Sequence, residues 1–196
     1  MGMIFGIAWI MSSAQAFELT VLGGATYNSF DSSNPSYSGD MALTYGADFS
    51  VGFFPGFSLQ SGIYSVGKKN DISSNGVSYT SSTRAWEIPA VVKVTFIPFF
   101  DFYGGLYLQK YGSSNTISNS SNTGLVANGS SDWTGAGYRS TDLGLKLGTR
   151  LKYETAPLCH AVLDINYNRG FLNMGPTGVS SKNHDLSVLV GFSFGI

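Results

Sequence analysis

One twelve-residue stretch, Asp142 to Tyr153, constrains this chain more than any other. Its even positions are Asp142, Gly144, Lys146, Gly148, Arg150 and Lys152. Its odd positions are Leu143, Leu145, Leu147, Thr149, Leu151 and Tyr153. A β-strand sends successive side chains to opposite faces, so this segment carries one charged face and one apolar face. In a soluble barrel the apolar face would turn inward and the charges would meet water. Here several segments repeat the pattern, and their apolar faces together read as a surface for hydrocarbon.

Eight strands are expected: Phe17–Phe30, Asp40–Phe53, Phe57–Lys68, Arg84–Phe96, Phe99–Tyr111, Tyr138–Tyr153, Leu158–Phe171 and His184–Ile196. Each approaches or exceeds the roughly 9–11 residues that a tilted strand needs to cross a bilayer. Their connections alternate in length. Short ones fall at Phe54-Pro55-Gly56, Ile97-Pro98 and Glu154 to Pro157. Long ones, rich in Ser, Asn and Gly, fall at Asp31–Gly39, Lys69–Thr83, Gly112–Gly137 and Leu172–Asn183. The expected fold is all-β: an eight-stranded antiparallel transmembrane β-barrel with short periplasmic turns and long extracellular loops. An even strand number puts both termini in the periplasm. The Ser/Asn-rich segment Ser113–Ser131 has the composition of an interdomain linker, but the strand pattern resumes after it in the same phase.

The expected lipid-facing set includes Leu19, Val21, Leu43, Phe49, Ile88, Val92, Leu106, Leu145, Ile165, Val188 and Val190. Leu145 is taken as a mid-membrane position. Phe53, Phe54, Phe57, Phe96, Phe99 and Phe100 gather at the short turns. Tyr45, Trp86, Tyr111, Tyr138 and Tyr167 fall toward the long loops. Aromatic girdles at both interfaces are a property of membrane barrels, whereas a β-sandwich gives no reason to gather aromatics at strand ends. The opposite faces carry Glu87, Lys93, Asp101, Lys146, Arg150, His160 and Asp164. An eight-stranded barrel has an interior just wide enough for its own side chains, and buried charges there must be paired. These seven are therefore expected to form a lumen charge cluster. A tight turn at Glu154–Ala156 would set Lys146 against Asp164 and Arg150 against His160, with Lys93 near Asp101. A narrow polar pore is the functional alternative.

Composition narrows the rest. Only 12% of residues are charged, about half the usual globular share. The formal net charge of −1 gives no footprint for nucleic acid. The single Cys159 excludes an internal disulfide. Residues 1–16 read as a signal peptide: an apolar run from Met3 to Met11, then Ala14-Gln15-Ala16 as a cleavage site. Residues 17–196 form the barrel domain. No metal-ligand spacing and no cofactor motif appears. The sole constellation with catalytic character is His184 with Ser180, Ser181 and Asp185, and no catalytic residue is assigned.

Several segments resemble a known family. Arg84-Ala85-Trp86-Glu87-Ile88-Pro89-Ala90-Val91-Val92-Lys93 is similar to a "LEIPLLLK" strand. Phe102-Tyr103-Gly104-Gly105-Leu106-Tyr107 looks like the strand that follows it. Asp142-Leu143-Gly144-Leu145 with Gly148 resembles "DFGLxxGxG", and Asn166-Tyr167-Asn168-Arg169-Gly170-Phe171 with Asn173 resembles "RYxxGLxN". These are marks of the outer membrane β-barrel domain family, the small porin-like barrels akin to OmpA-type and OmpX-type proteins. The alternation Leu186, Val188, Val190, Phe192, Phe194 resembles the C-terminal signal read by the barrel-assembly machinery. The resemblance implies a bacterial outer-membrane location more than any chemistry.

The expected function is therefore an integral outer-membrane protein with a mostly plugged lumen and a structural or surface-recognition role. Its expected partners are outer-membrane lipid, the assembly machinery, and an unidentified surface ligand. Trp133 and Tyr138 are the expected loop contact surface. A narrow channel for small solutes is the alternative, and a lipid A-modifying enzyme is a more distant one. A soluble lipocalin-like binder would require the apolar faces to be hidden from solvent.

Overall fold

A sheet whose apolar face points outward cannot leave an open edge in lipid, because each unpaired backbone group there costs several kcal/mol. The chain meets this constraint by closing on itself. The computed structural model describes residues 17–32, 36–74, 77–112, 114–119, 129–132, 139–174 and 180–195. The signal segment, residues 1–16, lies outside these, as do Trp133 and Tyr138. The strands are β1 (Phe17–Ser32), β2 (Ser36–Phe54), β3 (Phe57–Ser74), β4 (Val77–Ile97), β5 (Phe100–Tyr111), β6 (Ser114–Asn119), β7 (Gly129–Asp132), β8 (Thr141–Ala156), β9 (Cys159–Gly170) and β10 (Ser181–Gly195). Eight of them form an antiparallel ring in the order β3-β2-β1-β10-β9-β8-β5-β4, closed by the β3–β4 pairing.

The ring is sheared. Its paired row runs from Asn28 through Asp185, Asn168, Lys146, Gly105, Val91, Gln60 and Ser50 to Glu18. One circuit therefore returns to β1 ten residues away from its start. With strand spacings near 3.3 and 4.8 Å, that stagger gives a tilt of about 40°, within the usual barrel range.

Three turns join strands at one rim. In Pro55-Gly56 and Pro157-Leu158, proline fixes the first turn residue near −65°, and the second takes a positive φ of 79° at Gly56 and 61° at Leu158. Leu158 holds this conformation without glycine's freedom. The β8–β9 turn is thus centred on Pro157-Leu158 rather than on Glu154–Ala156, and β8 runs on to Ala156.

The strands also outrun their hydrophobic patterns at the other rim. β3 and β4 stay paired out to Ser74 and Val77, through a segment whose composition predicted a loop. β6 pairs with the outer end of β4, and β7 pairs with β6. Backbone pairing needs no apolar side chains, so alternation marks only the part of a strand that lies in lipid. The outer part of the ring thereby carries a four-stranded extension built from Ser, Thr and Asn.

The outer wall is apolar and exposed: Val21, Leu43, Leu59, Ile63, Ile88, Leu106, Leu147, Val188 and Val190 all face outward. Phe53, Phe54, Phe57, Phe96 and Phe99 ring the turn end. Tyr27, Tyr45, Trp86, Tyr167 and Phe171 ring the loop end. Tyr111, expected in that second girdle, instead points inward and is buried. Parity explains it, since Tyr111 shares a face with Asp101 and Gln109 rather than with Leu106 and Leu108. Trp86 is 54% exposed on the wall. With Trp9 and Trp133 replaced by Phe, its emission is expected to be quenched strongly by lipids brominated high on the acyl chain. It should be quenched less by deep bromines and little by aqueous acrylamide. Dominant acrylamide quenching would contradict the facing.

The lumen as candidate functional site

Inward positions are set by strand parity, and the tilt then decides which of them share a level. Among the described residues, five cations and seven carboxylates enter the lumen: Lys68, Lys93, Lys146, Arg150 and Lys152 against Glu18, Asp48, Glu87, Asp101, Asp142, Asp164 and Asp185. Three ion-paired layers lead from the turn end toward the loops, and a fourth follows at the loop mouth.

At the turn end, Lys93 Nζ lies 3.0 Å from Glu18 Oε2 and donates to Ser50 Oγ at 2.9 Å. Lys152 Nζ lies 3.0 Å from Asp101 Oδ2, which is 3.9 Å from Lys93. Thr95 donates to the other Asp101 oxygen at 2.7 Å.

Above this, Arg150 reaches from β8 to β2, strands on opposite sides of the ring. Its Nη2 and Nη1 donate to Asp48 at 2.8 and 3.2 Å, the bidentate fork that suits guanidinium and carboxylate. Its Nε donates to Asp164 at 3.0 Å and its Nη1 to Thr20 at 3.1 Å. Tyr64 donates to Asp48 and Tyr103 to Asp164, so both carboxylates carry further hydrogen bonds.

In the third layer, Lys146 donates to Glu87 at 2.7 Å and to Asn166 at 3.1 Å. The second Glu87 oxygen accepts from Gln109 at 2.6 Å and from Asn168 at 2.8 Å.

At the loop mouth, Lys68 pairs with Asp185, which also accepts from Asn183 at 3.0 Å. Tyr107 donates to Asp142 at 2.9 Å. Fully buried Met174, from the segment after β9, packs with Ala85 and Tyr111. Its backbone is fastened by Met174 N–H to the Ser181 carbonyl at 2.8 Å.

Three of the lumen tyrosines lie over glycines directly across from them: Tyr64 over Gly46, Tyr103 over Gly148 and Tyr107 over Gly144. A Cβ at Gly148 would stand 2.4 Å from the Tyr103 ring. Ring over glycine is a recurrent way of covering bare backbone in sheets. It also carries each phenol toward the middle of the lumen, where it meets a carboxylate.

Of the seven residues expected in the charge cluster, Glu87, Lys93, Asp101, Lys146, Arg150 and Asp164 are buried inside the ring. His160 is half-buried opposite Glu154 and Ser193, near the β8–β9 turn, and takes part in no ion pair among the described residues. The expected pairings of Lys146 with Asp164 and Arg150 with His160 are corrected: Arg150 stands opposite Asp164, and Lys146 opposite Asn168. The turn is displaced, so the register moves by four residues. An even shift keeps every side chain on its face and changes only its partner. Lys93 is near Asp101, though closer to Glu18.

Sequence reasoning left Glu18, Asp48, Lys68, Asp142, Lys152 and Asp185 out of the cluster. For five of these the signal was present, because each flanks an outward residue: Leu19, Phe49, Leu143, Leu151 and Leu186. Lys68 had none, since the polar end of β3 shows no clear alternation.

The candidate catalytic set comes apart. Ser181 and Asp185 are buried inward, while His184, on the opposite face of the same strand, stands 2.6 Å from the Tyr167 hydroxyl.

No protein-family model and no curated protein sequence matches the chain. Solved structures do. The attachment invasion locus protein Ail of Yersinia pestis aligns with a TM-score of 0.52 at 12% identity, over 90% of this chain and 98% of that one. Its complex with the heparin analogue sucrose octasulfate aligns with the same TM-score at 11% identity, over 91% and 99% of the two chains. The outer membrane protease OmpT from Escherichia coli aligns with a TM-score of 0.54 at 8% identity, over 93% of this chain and 97% of that one. The chain has the fold of the small outer-membrane β-barrels.

Proposed function

We propose that this outer-membrane-type barrel is an occluded one, exported to the bacterial outer membrane by its N-terminal segment and folded there by the barrel-assembly machinery. Its lumen holds the cylinder together, and its loops do the work, in a structural or surface-recognition role. The observation that carries this reading is Arg150. Its guanidinium bridges opposite walls, with paired layers on either side of it and Met174 beyond. An ion crossing this lumen would have to part several buried pairs in succession.

A recognition role is in keeping with the fold's occurrence in an attachment protein. The four-stranded extension at the loop end offers the surface. Trp133 and Tyr138, next to β7 and β8 in the chain, are the residues to replace first. A lipid-modifying activity would need a constellation other than the one around His184.

Planar-bilayer recording tests occlusion. Reconstituted protein that shows the heat-modifiable gel mobility of a folded barrel is expected to leave the membrane at its baseline conductance in molar KCl. Sustained single-channel steps from that same material would overturn the reading and favour a narrow solute channel.

A further inference from the structure

Charge is not balanced evenly along the lumen. The turn-end layer sets Lys93 and Lys152 against Glu18 and Asp101, and the third layer sets Lys146 against Glu87. Asp48 and Asp164 share Arg150, and every oxygen of the two accepts a hydrogen bond. At the loop mouth, one cation among the described residues, Lys68, meets two carboxylates. It pairs with Asp185, and Asp142 joins no ion pair among the described residues although it is fully buried. That leaves one negative charge without a partner, which is costly away from water.

The oxygens show where the charge points. Asp185 Oδ2 accepts from Lys68, from Gln109 at 3.3 Å and from Asn183 at 3.0 Å. Asp142 Oδ2 accepts from Tyr107 at 2.9 Å. The Oδ1 atom of each carboxylate is buried without a hydrogen bond among the described residues, as are Oδ1 of Asn28 and Oδ1 of Asn168. The two amides are fixed by their donors. Asn28 Nδ2 donates to the carbonyls of Gly67 and Thr26 at 3.0 and 3.3 Å, and Asn168 Nδ2 donates to Glu87 at 2.8 Å. Turning either amide over would set oxygen against oxygen, so Oδ1 is the bare atom in both.

The register brings these atoms together. Asn28 stands directly opposite Asp185, and Asp185 directly opposite Asn168. Side chains so placed have Cβ atoms about 4.5–5.5 Å apart, and all three point into the concave inner wall. Asp142 lies over Gly170, where a Cβ would stand 2.5 Å from its Oδ2, and Gly170 is two residues from Asn168 on the same face. Gln109, directly across from Asp142, donates to Asp185 and so places both carboxylates at one level. All four residues are at most 2% exposed. A water molecule can satisfy bare acceptors, but it cannot neutralise the charge.

The donor set selects the ion. No three His, Cys, Asp or Glu side chains gather as a metal centre among the described residues, and calcium and transition metals ask for more anionic or softer ligands than two carboxylates and two amides. Hard oxygen ligands and a single uncompensated charge fit an alkali cation.

We propose that the loop mouth binds one monovalent alkali cation, of which sodium is the test case, on the Oδ1 atoms of Asn28, Asp142, Asn168 and Asp185. The site does not depend on whether the lumen conducts. Urea unfolding in phosphatidylcholine vesicles, followed by heat-modifiable gel mobility, tests it, with sodium chloride exchanged for choline chloride at constant ionic strength so that screening stays fixed. The unfolding constant is expected to fall as sodium rises, by about tenfold per tenfold increase once the site fills. Asp142→Asn keeps an acceptor for Tyr107 and removes the charge, so its unfolding should no longer respond to sodium. Asn28→Ala leaves every charge in place and should need several-fold more sodium for the same effect. Asp40→Asn, at the exposed pair with Lys69 outside the lumen, should respond as the parent does. Broadening of the sodium-23 resonance by the folded parent gives a second reading that needs no variant. Unfolding indifferent to the exchange, a response only in molar salt (an adventitious ion only), or a response unchanged in both Asp142→Asn and Asn28→Ala would each overturn the assignment.

Discussion

Arg150→Met is expected to destabilise the barrel by about 3–5 kcal/mol, the cost of leaving buried charges without their partner. The substitution keeps much of the volume and strands Asp48 and Asp164, both almost fully buried. Neither has a second cation at hydrogen-bonding distance among the described residues. Guanidinium unfolding in short-chain lipid vesicles, followed by gel mobility, measures the loss. A companion variant separates charge from packing. Arg150→Met/Asp48→Asn/Asp164→Asn removes all three charges and keeps acceptor oxygens for the Tyr64 and Tyr103 hydroxyls, so most of the lost stability should return. A single variant that loses less than about 1 kcal/mol would show that the bridge across the lumen carries little weight.

The second large effect is on the outside. Val190→Arg is expected to cost about 2–4 kcal/mol, the price of an arginine at the bilayer midplane, and Leu145→Arg about 0–1. The order comes from the strands. On β10 the outward residues run Phe194, Phe192, Val190, Val188 and Leu186 before reaching His184 and Lys182, so Val190 is the middle of the apolar belt. Leu145, placed at mid-membrane by its own strand's pattern, lies directly across from Arg169 and therefore near the loop-end interface. There an arginine can extend its head into the headgroup region. Parallel unfolding of the two variants gives the comparison, and equal penalties would mean that the belt is centred elsewhere.

The alternation of β8 was enough to assign inside and outside for Lys146, Arg150 and Leu147, because facing depends only on odd and even position within one strand. Tyr111 was misassigned where an aromatic at a strand end was read by its place along the strand instead of by its parity. Lys68 and the paired arms of β3 and β4 were lost for a different reason. Their side chains are polar on both faces, so nothing in the local pattern distinguishes a strand in water from a loop. The Arg150–Asp164 pair was missed by four residues because the position of one turn sets the register, and Leu158 adopts a conformation that its residue type does not advertise.

The sequence by itself determined that the chain forms strands of membrane-crossing length, that their greasy faces turn outward, and that Glu87, Lys93, Asp101, Lys146, Arg150 and Asp164 turn inward. Each of these follows from a period of two within a single strand. Only the tertiary structure decided the ten-residue stagger, the partners of Arg150 and Glu18 across the ring, the burial of Met174 at the loop mouth, and the attachment of β6 to β4. Those depend on how far each strand slides against the next, and an even slide leaves every face unchanged while replacing every neighbour.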